Sequence, residues 1–301
     1  MMKLCVFFVG ELQDAGFNAC ALQGAERVAA LPEMQVEILG GVPFEPQAMA
    51  NALTGAAARN DAVIFIGGQG NKVVREVAAA HPAKAFAVVQ GEVTGANLAS
   101  YEVLQEHSAF LAGCLAGRMT RSGTVAHLSG HRVSPGLKGR AAFCAGVRHI
   151  APETRVLTGF CGTQDDSTVT RAWAEAQIAA GADITFTMLN AARQGAIEAC
   201  RAKGTRQIGN VLDWCASDPQ VFLGSAIARI DLAVERAAAD ILSAQLPEHV
   251  QTLGLTQSAV ALSMDPGLPS DITEDIAQIA SAVATKALPV PTTYDGPEFS
   301  P

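Results

Sequence analysis

The chain opens with the stretch LCVFFVGELQDAGFN at residues 4–18, which predicts a strand, a turn and a helix in that order. Its first six residues are continuously apolar, as expected of a strand buried on both faces of a parallel sheet. Polar residues follow at the carboxyl end of that strand, where open α/β sheets bind their ligands. This segment is therefore the first candidate for a binding site.

Three side chains of this turn form a chemically coherent set. A flat heteroaromatic ring could stack on Phe17 and form hydrogen bonds at its edge with Asp14 and Asn18. A purely local interpretation is also open, in which Asp14 and Asn18 cap the helix and Phe17 packs into the core.

The composition favours two compact domains and excludes several classes of protein. The 301 residues are 49% hydrophobic and 17% charged, with a net charge of −8. Lys and Arg are not clustered, so we expect no nucleic-acid partner. The sequence contains no run of about 18 apolar residues, so we expect no membrane span. The start shows no secretory signal, and the seven cysteines include no C-x-x-C pair. These features predict a cytoplasmic protein if the chain is native as it stands.

Apolar runs alternate with helix-periodic segments along the chain, which predicts a doubly wound α/β fold with parallel sheets. The predicted strands are Leu4–Val9, Val36–Leu39, Ala62–Ile66, Ala85–Val89, Gly123–Leu128, Arg155–Thr158, Ile184–Met188 and Gln207–Val211. The predicted helices are Phe17–Ala30, Pro46–Ala58, Lys72–Ala80, Ser108–Thr120, Leu137–His149, Ser167–Ala180, Gln194–Lys203, Ala226–Ser243 and Ile272–Ala287.

The alternation occurs twice, which predicts two lobes with several crossovers at a hinge and a ligand cleft between them. The first lobe is expected at residues 1–106 plus about 227–250, and the second at 107–226 plus about 251–301.

Further candidate residues follow other predicted strands. Gly67, Gly68 and Gln69 begin a glycine-rich loop before a helix, which indicates either close backbone approach to a ligand or a tight turn. Asn190 ends a later strand. Asp213 and Trp214 end the next, where the indole is either a second stacking face or ordinary packing.

The sequence offers little catalytic chemistry. His127 and His131 are four residues apart, but a glycine-containing loop separates them and no third metal ligand stands nearby. A G-x-S-x-G nucleophile motif is absent. We therefore predict a protein that is not an enzyme, with no metal site, no cofactor and no catalytic residue.

The motif Gly10-x-x-x-Asp14-x-x-Phe17-Asn18, followed by Gly24, resembles the opening of the basic membrane protein family. These are the purine-nucleoside-receptor-like substrate-binding proteins of ABC importers. Further matching segments occur in order: HSAFLAG at 107–113, the loop at 162–166, GAD at 181–183 and PVP at 289–291. The resemblance covers nearly the full length.

This resemblance implies a two-lobed, periplasmic-binding-protein-like fold of type I that closes by a hinge motion on a purine nucleoside, nucleobase or related heterocycle. It implies that Phe17 stacks on the base while Asp14 and Asn18 hydrogen-bond to it. Gly67, Gly68 and Gln69 would line the first lobe, and Phe186, Asn190 and Asp213 the second. It further implies an ABC permease as partner and a periplasmic or membrane-associated location for a chain that we expect to be monomeric.

Departures from the family pattern leave the ligand open. The chain has LNAAR at 189–193 in place of a glycine-rich loop, an acid displaced to Asp213, and Ala228 where a basic residue is expected. Because these positions serve the sugar hydroxyls of nucleosides, a free nucleobase is an alternative to a nucleoside. Two other functions stay open, a cytoplasmic ligand sensor on the same fold and an enzyme acting on a purine-like ring.

Overall fold

The computed structural model describes residues 1–301. The strands are β1 Met2–Val9, β2 Met34–Val42, β3 Ala62–Ile66, β4 Ala85–Val89, β5 Leu98–Val103, β6 Thr124–Ser129, β7 Arg155–Phe160, β8 Ile184–Met188, β9 Arg206–Val211, β10 Phe222–Ala228, β11 Gln251–Leu253 and β12 Val260–Met264. The helices are α1 Phe17–Ala29, α2 Pro46–Arg59, α3 Asn71–Ala80, α4 Gln105–Met119, α5 Ser134–Ile150, α6 Ser167–Ala179, α7 Arg193–Lys203, α8 Trp214–Ser217, α9 Ile230–Leu242 and α10 Ser270–Ala284.

The chain forms two compact units, each built on one six-stranded sheet. Unit 1 comprises Met1–Val103 and Arg229–Leu253, and unit 2 comprises Leu104–Ala228 and Gly254–Pro301. Neither unit is a continuous piece of the sequence, because the chain passes between them after Val103, after Ala228 and after Leu253.

The sheet of unit 1 is parallel throughout, in the order β11-β5-β4-β3-β1-β2. The apolar run of β1 from Leu4 to Val9 is buried, and so is all of β3. Helices α1 and α9 pack so closely that a Cβ on Gly24 would lie within 3.0 Å of the Asp231 carbonyl oxygen. Continuous apolar strands are thus buried on both faces, as such runs predict.

The sheet of unit 2 has the order β12-β10-β9-β8-β6-β7, and only β12 is antiparallel to its neighbour. The predicted fold class of two doubly wound, mostly parallel α/β sheets is confirmed. Two of the four outer strands, β11 and β12, come from the late part of the chain, where the sequence pattern weakens.

Besides β11 and β12, the inner strands β5 and β10 were missing from the predicted strands, because polar or small residues interrupt their apolar pattern. In β5, Ser100 donates to the Val93 carbonyl at 2.6 Å and the Tyr101 hydroxyl donates to Asp240 at 2.9 Å. In β10, a Cβ on Gly224 would lie 2.7 Å from the Ser263 carbonyl oxygen of β12. The prediction that a helix begins at Ala226 is wrong, since β10 continues to Ala228 and α9 begins at Ile230.

None of the helices combines the length and the apolar character that a bilayer crossing requires.

Candidate functional site

The strand order of each sheet identifies where a ligand would bind. In unit 1 the chain moves from β1 to β2 on one side and then to β3 on the other, so the order reverses between β1 and β3. In unit 2 the same reversal lies between β6 and β8. Ligands of open α/β sheets bind outside the carboxyl ends of the strands at such a switch point.

The loop between β1 and α1 is organised around the buried carboxylate of Asp14. Its Oδ1 accepts hydrogen bonds from the backbone N–H groups of Gly16 at 2.9 Å and Ala19 at 3.0 Å, and its Oδ2 accepts one from Asn18 at 3.0 Å. Asp14 therefore caps the start of α1, as the local interpretation proposed.

Asn18 braces the same loop. Its side-chain amide donates to the carbonyl oxygens of Val9 at 2.8 Å and Glu11 at 2.9 Å, which occupies both of its N–H groups. Phe17, which lies between Asp14 and Asn18 in the sequence, begins α1 and remains partly exposed. The loop thus holds the side chains of Asp14 and Asn18 just after β1, with the partly exposed Phe17 at the start of α1.

The glycine-rich segment after β3 lies at the other side of the unit 1 switch point. Gly67 has φ of +107°, a conformation that favours glycine, and its N–H donates to the Val89 carbonyl at 2.9 Å. Gln69 folds back and donates to the Ile66 carbonyl at 3.1 Å. A Cβ on Gly68 would lie 2.7 Å from the Gln90 carbonyl oxygen, so this segment needs glycine for its own backbone packing.

In unit 2 the segment after β8 is held by the loop that follows β7. The Gln164 side chain accepts from the Asn190 backbone N–H at 3.1 Å, and the Gln164 carbonyl accepts from the Ala192 N–H at 2.9 Å. A Cβ on Gly130, just after β6, would lie 2.5 Å from the Thr163 carbonyl oxygen. Asn190 is therefore at the unit 2 switch point, on a segment that neighbouring loops support.

The segment after β9 contains Asp213 and Trp214. Asp213 is exposed, caps α8 by accepting from the Ala216 N–H at 3.1 Å, and also accepts from the Ser263 hydroxyl at 3.0 Å. Trp214 is half-buried, and its indole N–H donates to the Asn210 carbonyl at 3.2 Å. Val211 has φ of +67°, which is a strained conformation for a β-branched residue.

Phe186 lies in the core of unit 2 and not after the end of a strand. Its ring has no exposed surface and stacks on Phe143 with 5.0 Å between the ring centroids, within the hydrophobic core of unit 2. It sits in the interior of β8, where alternate side chains face the covering helices. We therefore leave Phe186 out of the candidate site.

His127, considered above as a metal ligand, is a core residue. Its ring is fully buried beside Phe143, Phe160 and Phe186, and its Nδ1 is 2.9 Å from the Thr158 hydroxyl. Burial and, to a smaller extent, the charge of Arg140 lower the pKa of His127 to about 3. The residue is therefore neutral in the folded protein at neutral pH.

This burial predicts a loss of stability in mild acid. In the unfolded chain a histidine has a pKa of about 6.5, so below that pH the unfolded state binds a proton that the folded state does not. Above pH 6.5 the burial of His127 does not make the free energy of unfolding depend on pH. Below pH 6.5 it lowers that free energy by about 1.4 kcal/mol per pH unit as the pH falls towards 3. Urea unfolding between pH 7.5 and 5 should show a smaller pH slope for His127→Asn than for wild type.

The exposed His249 supplies the control. His249→Asn should keep the wild-type slope. An unchanged slope in His127→Asn would show that His127 is already accessible to protons in the folded state.

The structure contains no group of three or more His, Cys, Asp or Glu side chains that could hold a metal ion. Burial raises the pKa of every cysteine thiol, for example to about 12 for Cys114 and about 11 for Cys215. Because the thiolate is the reactive form, these cysteines are poor nucleophiles at neutral pH.

Comparison with known proteins assigns the family. Residues 1–293 match the family model Bmp, described as ABC transporter substrate-binding protein PnrA-like. The chain belongs to this family. Its members are substrate-binding proteins, so membership gives the chain a binding role and implies a small-molecule ligand and a transporter permease. The predicted resemblance is confirmed.

Individual proteins agree with the family and the fold. The chain is 21% identical over 298 residues to Basic membrane protein A2 of Borrelia garinii subsp. bavariensis, covering 96% of this chain and 88% of that protein. Its fold is similar to that of a solute-binding protein of an ABC transporter system from Aeropyrum pernix, with a TM-score of 0.86, 20% identity and coverage of 98% and 94%. It is also similar to a transcriptional activator of the comK gene from Bacillus halodurans, with a TM-score of 0.79, 17% identity and coverage of 96% and 99%.

The sequence analysis did not identify several residues that lie near the carboxyl ends of these strands. Phe44 follows β2, the neighbour of β1, and is 58% exposed. Gln164 and Arg193 support the loops of unit 2 from within. The isolated aromatic after a strand was a usable signal for Phe44, whereas nothing local distinguishes Gln164 or Arg193 from surface residues.

Proposed function

We propose that this protein binds a purine nucleoside, a nucleobase or a related flat heterocycle and delivers it to an ABC permease without chemical change. The observation that carries the proposal is the β1–α1 loop, where the hydrogen-bonded side chains of Asp14 and Asn18 lie at the unit 1 switch point and the adjoining residue Phe17 is partly exposed. Phe17 would stack on the ring, and Asp14 and Asn18 would bind its edge.

The hydrogen bonds of this loop restrict which ligand edge it can bind. Both N–H groups of the Asn18 amide are used within the loop, so only its Oδ1 is offered to a ligand. An ionised Asp14 is also only an acceptor. The ligand edge that meets them must therefore carry donors, such as a ring N–H or an exocyclic amino group.

Residues of unit 2 would complete recognition. We propose that Asn190 and Asp213 bind polar groups of the ligand and that Trp214 offers a second aromatic face, because all three follow parallel strands at their carboxyl ends. Gly67, Gly68 and Gln69 would approach the ligand with their backbone. Since the glycine-rich loop expected after β8 is absent, a free nucleobase is as compatible as a nucleoside.

A thermal-shift panel tests this proposal. The panel contains adenosine, guanosine, inosine, adenine, uric acid and riboflavin, with purine riboside as the analogue that lacks an exocyclic or ring N–H donor. A ligand at roughly 100-fold its dissociation constant stabilises the folded protein by about 2.7 kcal/mol. We expect at least one donor-bearing purine to raise the melting temperature and purine riboside to fail. If no compound raises it, the purine assignment is wrong.

Variants of Phe17 test the stacking role. We expect Phe17→Leu to weaken binding by about 1–3 kcal/mol because it retains an apolar side chain but loses the aromatic face. Phe17→Tyr retains that face and should bind nearly as wild type. Calorimetric titration of both variants measures the difference, and equal affinities would assign Phe17 to packing alone.

A ligand sensor is the second candidate function. Its support is the likeness in fold to the transcriptional activator of the comK gene, together with the cysteine content noted above. Importer delivery requires an extracytoplasmic or membrane-associated location, whereas a sensor acts in the cytoplasm. Fractionation of the native host, with detection by antibody, separates the two, and a purely cytoplasmic protein would contradict the importer role.

A further inference from the structure

Arg193 is a fully buried arginine at the start of α7, with 1% of its surface exposed. Its Nη1 donates to the Thr187 carbonyl at 3.1 Å and to the Thr187 hydroxyl at 2.7 Å. Its Nη2 donates to the Leu189 carbonyl and to the side-chain oxygen of Asn210. One guanidinium therefore joins the carboxyl ends of β8 and β9.

The same group contacts the aromatic residue of the candidate site. The Arg193 Cζ lies 4.8 Å from the centroid of the Trp214 ring, within the range of a cation–π interaction. The Trp214 indole N–H in turn donates to the carbonyl of Asn210, whose side chain Arg193 holds. Arg193 thus lies over the face of the Trp214 ring and also binds the residue that accepts from the edge of that ring.

The backbone between Asn210 and Trp214 is strained. Val211 has φ of +67°, and the Leu212 N–H donates back to the Asn210 carbonyl at 2.9 Å in a tight turn. A β-branched residue keeps such a conformation only where its surroundings enforce it. The bonds from Arg193 to Asn210 and the packing on Trp214 supply that constraint on both sides of Val211.

We propose that Arg193 is a positioning residue, which holds Trp214 and the strained Val211 turn in the arrangement that receives the ligand. The ligand-binding part of this inference rests on the proposed function, whereas the effect on Trp214 does not. Lysine cannot replace it, because a single ammonium lacks the planar fork that reaches β8, β9 and the indole together.

Fluorine NMR of protein labelled with 5-fluorotryptophan measures this role without a ligand. The chain has only two tryptophans, Trp173 and Trp214, so two resonances are expected, assigned with Trp173→Phe. In Arg193→Lys we expect the Trp214 resonance to shift or broaden while the Trp173 resonance stays in place. The matched control is Arg201→Lys on the exposed face of α7, where both resonances should be unchanged.

A milder variant protects the test against loss of folding. Asn210→Ala removes one acceptor of Arg193 but keeps the carbonyl that Trp214 uses, so it should move the same resonance by a smaller amount. If both variants leave the Trp214 resonance unchanged, or move both tryptophans alike, the positioning role is overturned.

Titration with a ligand found in the panel completes the experiment. We expect Arg193→Lys to weaken binding per folded molecule by about tenfold or more, because charge-assisted hydrogen bonds are lost. An altered Trp214 resonance with wild-type affinity would overturn the link to binding. If the wild-type protein binds no compound in the panel but Arg193→Lys still alters the Trp214 resonance, the role of Arg193 towards Trp214 is supported. The proposed function is then contradicted instead.

Discussion

Replacing Gly146 with alanine is expected to destabilise unit 2 by about 3 kcal/mol or more, although alanine is ordinarily the better helix former. A Cβ on Gly146 of α5 would lie well inside 3.0 Å of the Phe110 carbonyl oxygen in α4. The reciprocal position is equally tight, since a Cβ on Gly113 would overlap the Phe143 carbonyl. These atoms belong to helix backbones in the core of unit 2, so relief requires moving a whole helix.

Gly139→Ala is the matched control, since it changes the same helix. A Cβ there would meet the thioether of Met188, a flexible side chain that can adopt another rotamer. We expect this variant to cost less than about 1 kcal/mol. Urea and thermal unfolding measure both variants, and equal stabilities would show that α4 and α5 are not in backbone contact.

The second large effect is expected for Asp14→Ala, which should destabilise unit 1 by about 2–4 kcal/mol and abolish binding of the proposed ligand. Removing the carboxylate leaves the backbone N–H groups of Gly16, Asn18 and Ala19 without their acceptor. It also removes the negative charge at the start of α1, where the helix dipole favours one. The loop that orients Phe17 and Asn18 would then lose its order.

Asp166 provides a helix cap for comparison. It accepts from the N–H groups of Thr168 at 2.9 Å and Val169 at 3.2 Å at the exposed start of α6. Asp166→Ala should cost about 1 kcal/mol and leave ligand affinity unchanged. Unfolding curves and calorimetric titration, corrected for the folded fraction, separate the two effects. Wild-type affinity in folded Asp14→Ala would contradict the ligand role of the β1–α1 loop.

The continuous apolar strands could be predicted from the sequence because their signal is local. A strand buried on both faces consists of apolar residues whatever covers it, so β3, β4 and β8 were predicted with their observed bounds. The strands β5 and β10 could not be, because their polar and small residues are suited to partners far away in the chain. Tyr101 needs Asp240, and Gly224 needs the Ser263 carbonyl.

The candidate site was also only partly predictable from the sequence. The spacing of Asp14, Phe17 and Asn18 was sufficient to indicate the family, but not to decide whether Asp14 caps the helix. Its three backbone hydrogen bonds decide that question, while the ligand roles stay predictions. Phe186 was included from resemblance, yet its ring is fully buried against Phe143.

By itself, the sequence determined the fold class, the family and the position of the first loop, because each depends on residue types at fixed spacing along the chain. Only the tertiary structure decided how the segments after β8 and β9 are held together. That arrangement depends on contacts between segments that are apart in sequence, as when Arg193 binds Asn210 and lies over the ring of Trp214. A local pattern cannot encode it, since the partners meet only when the sheet has formed.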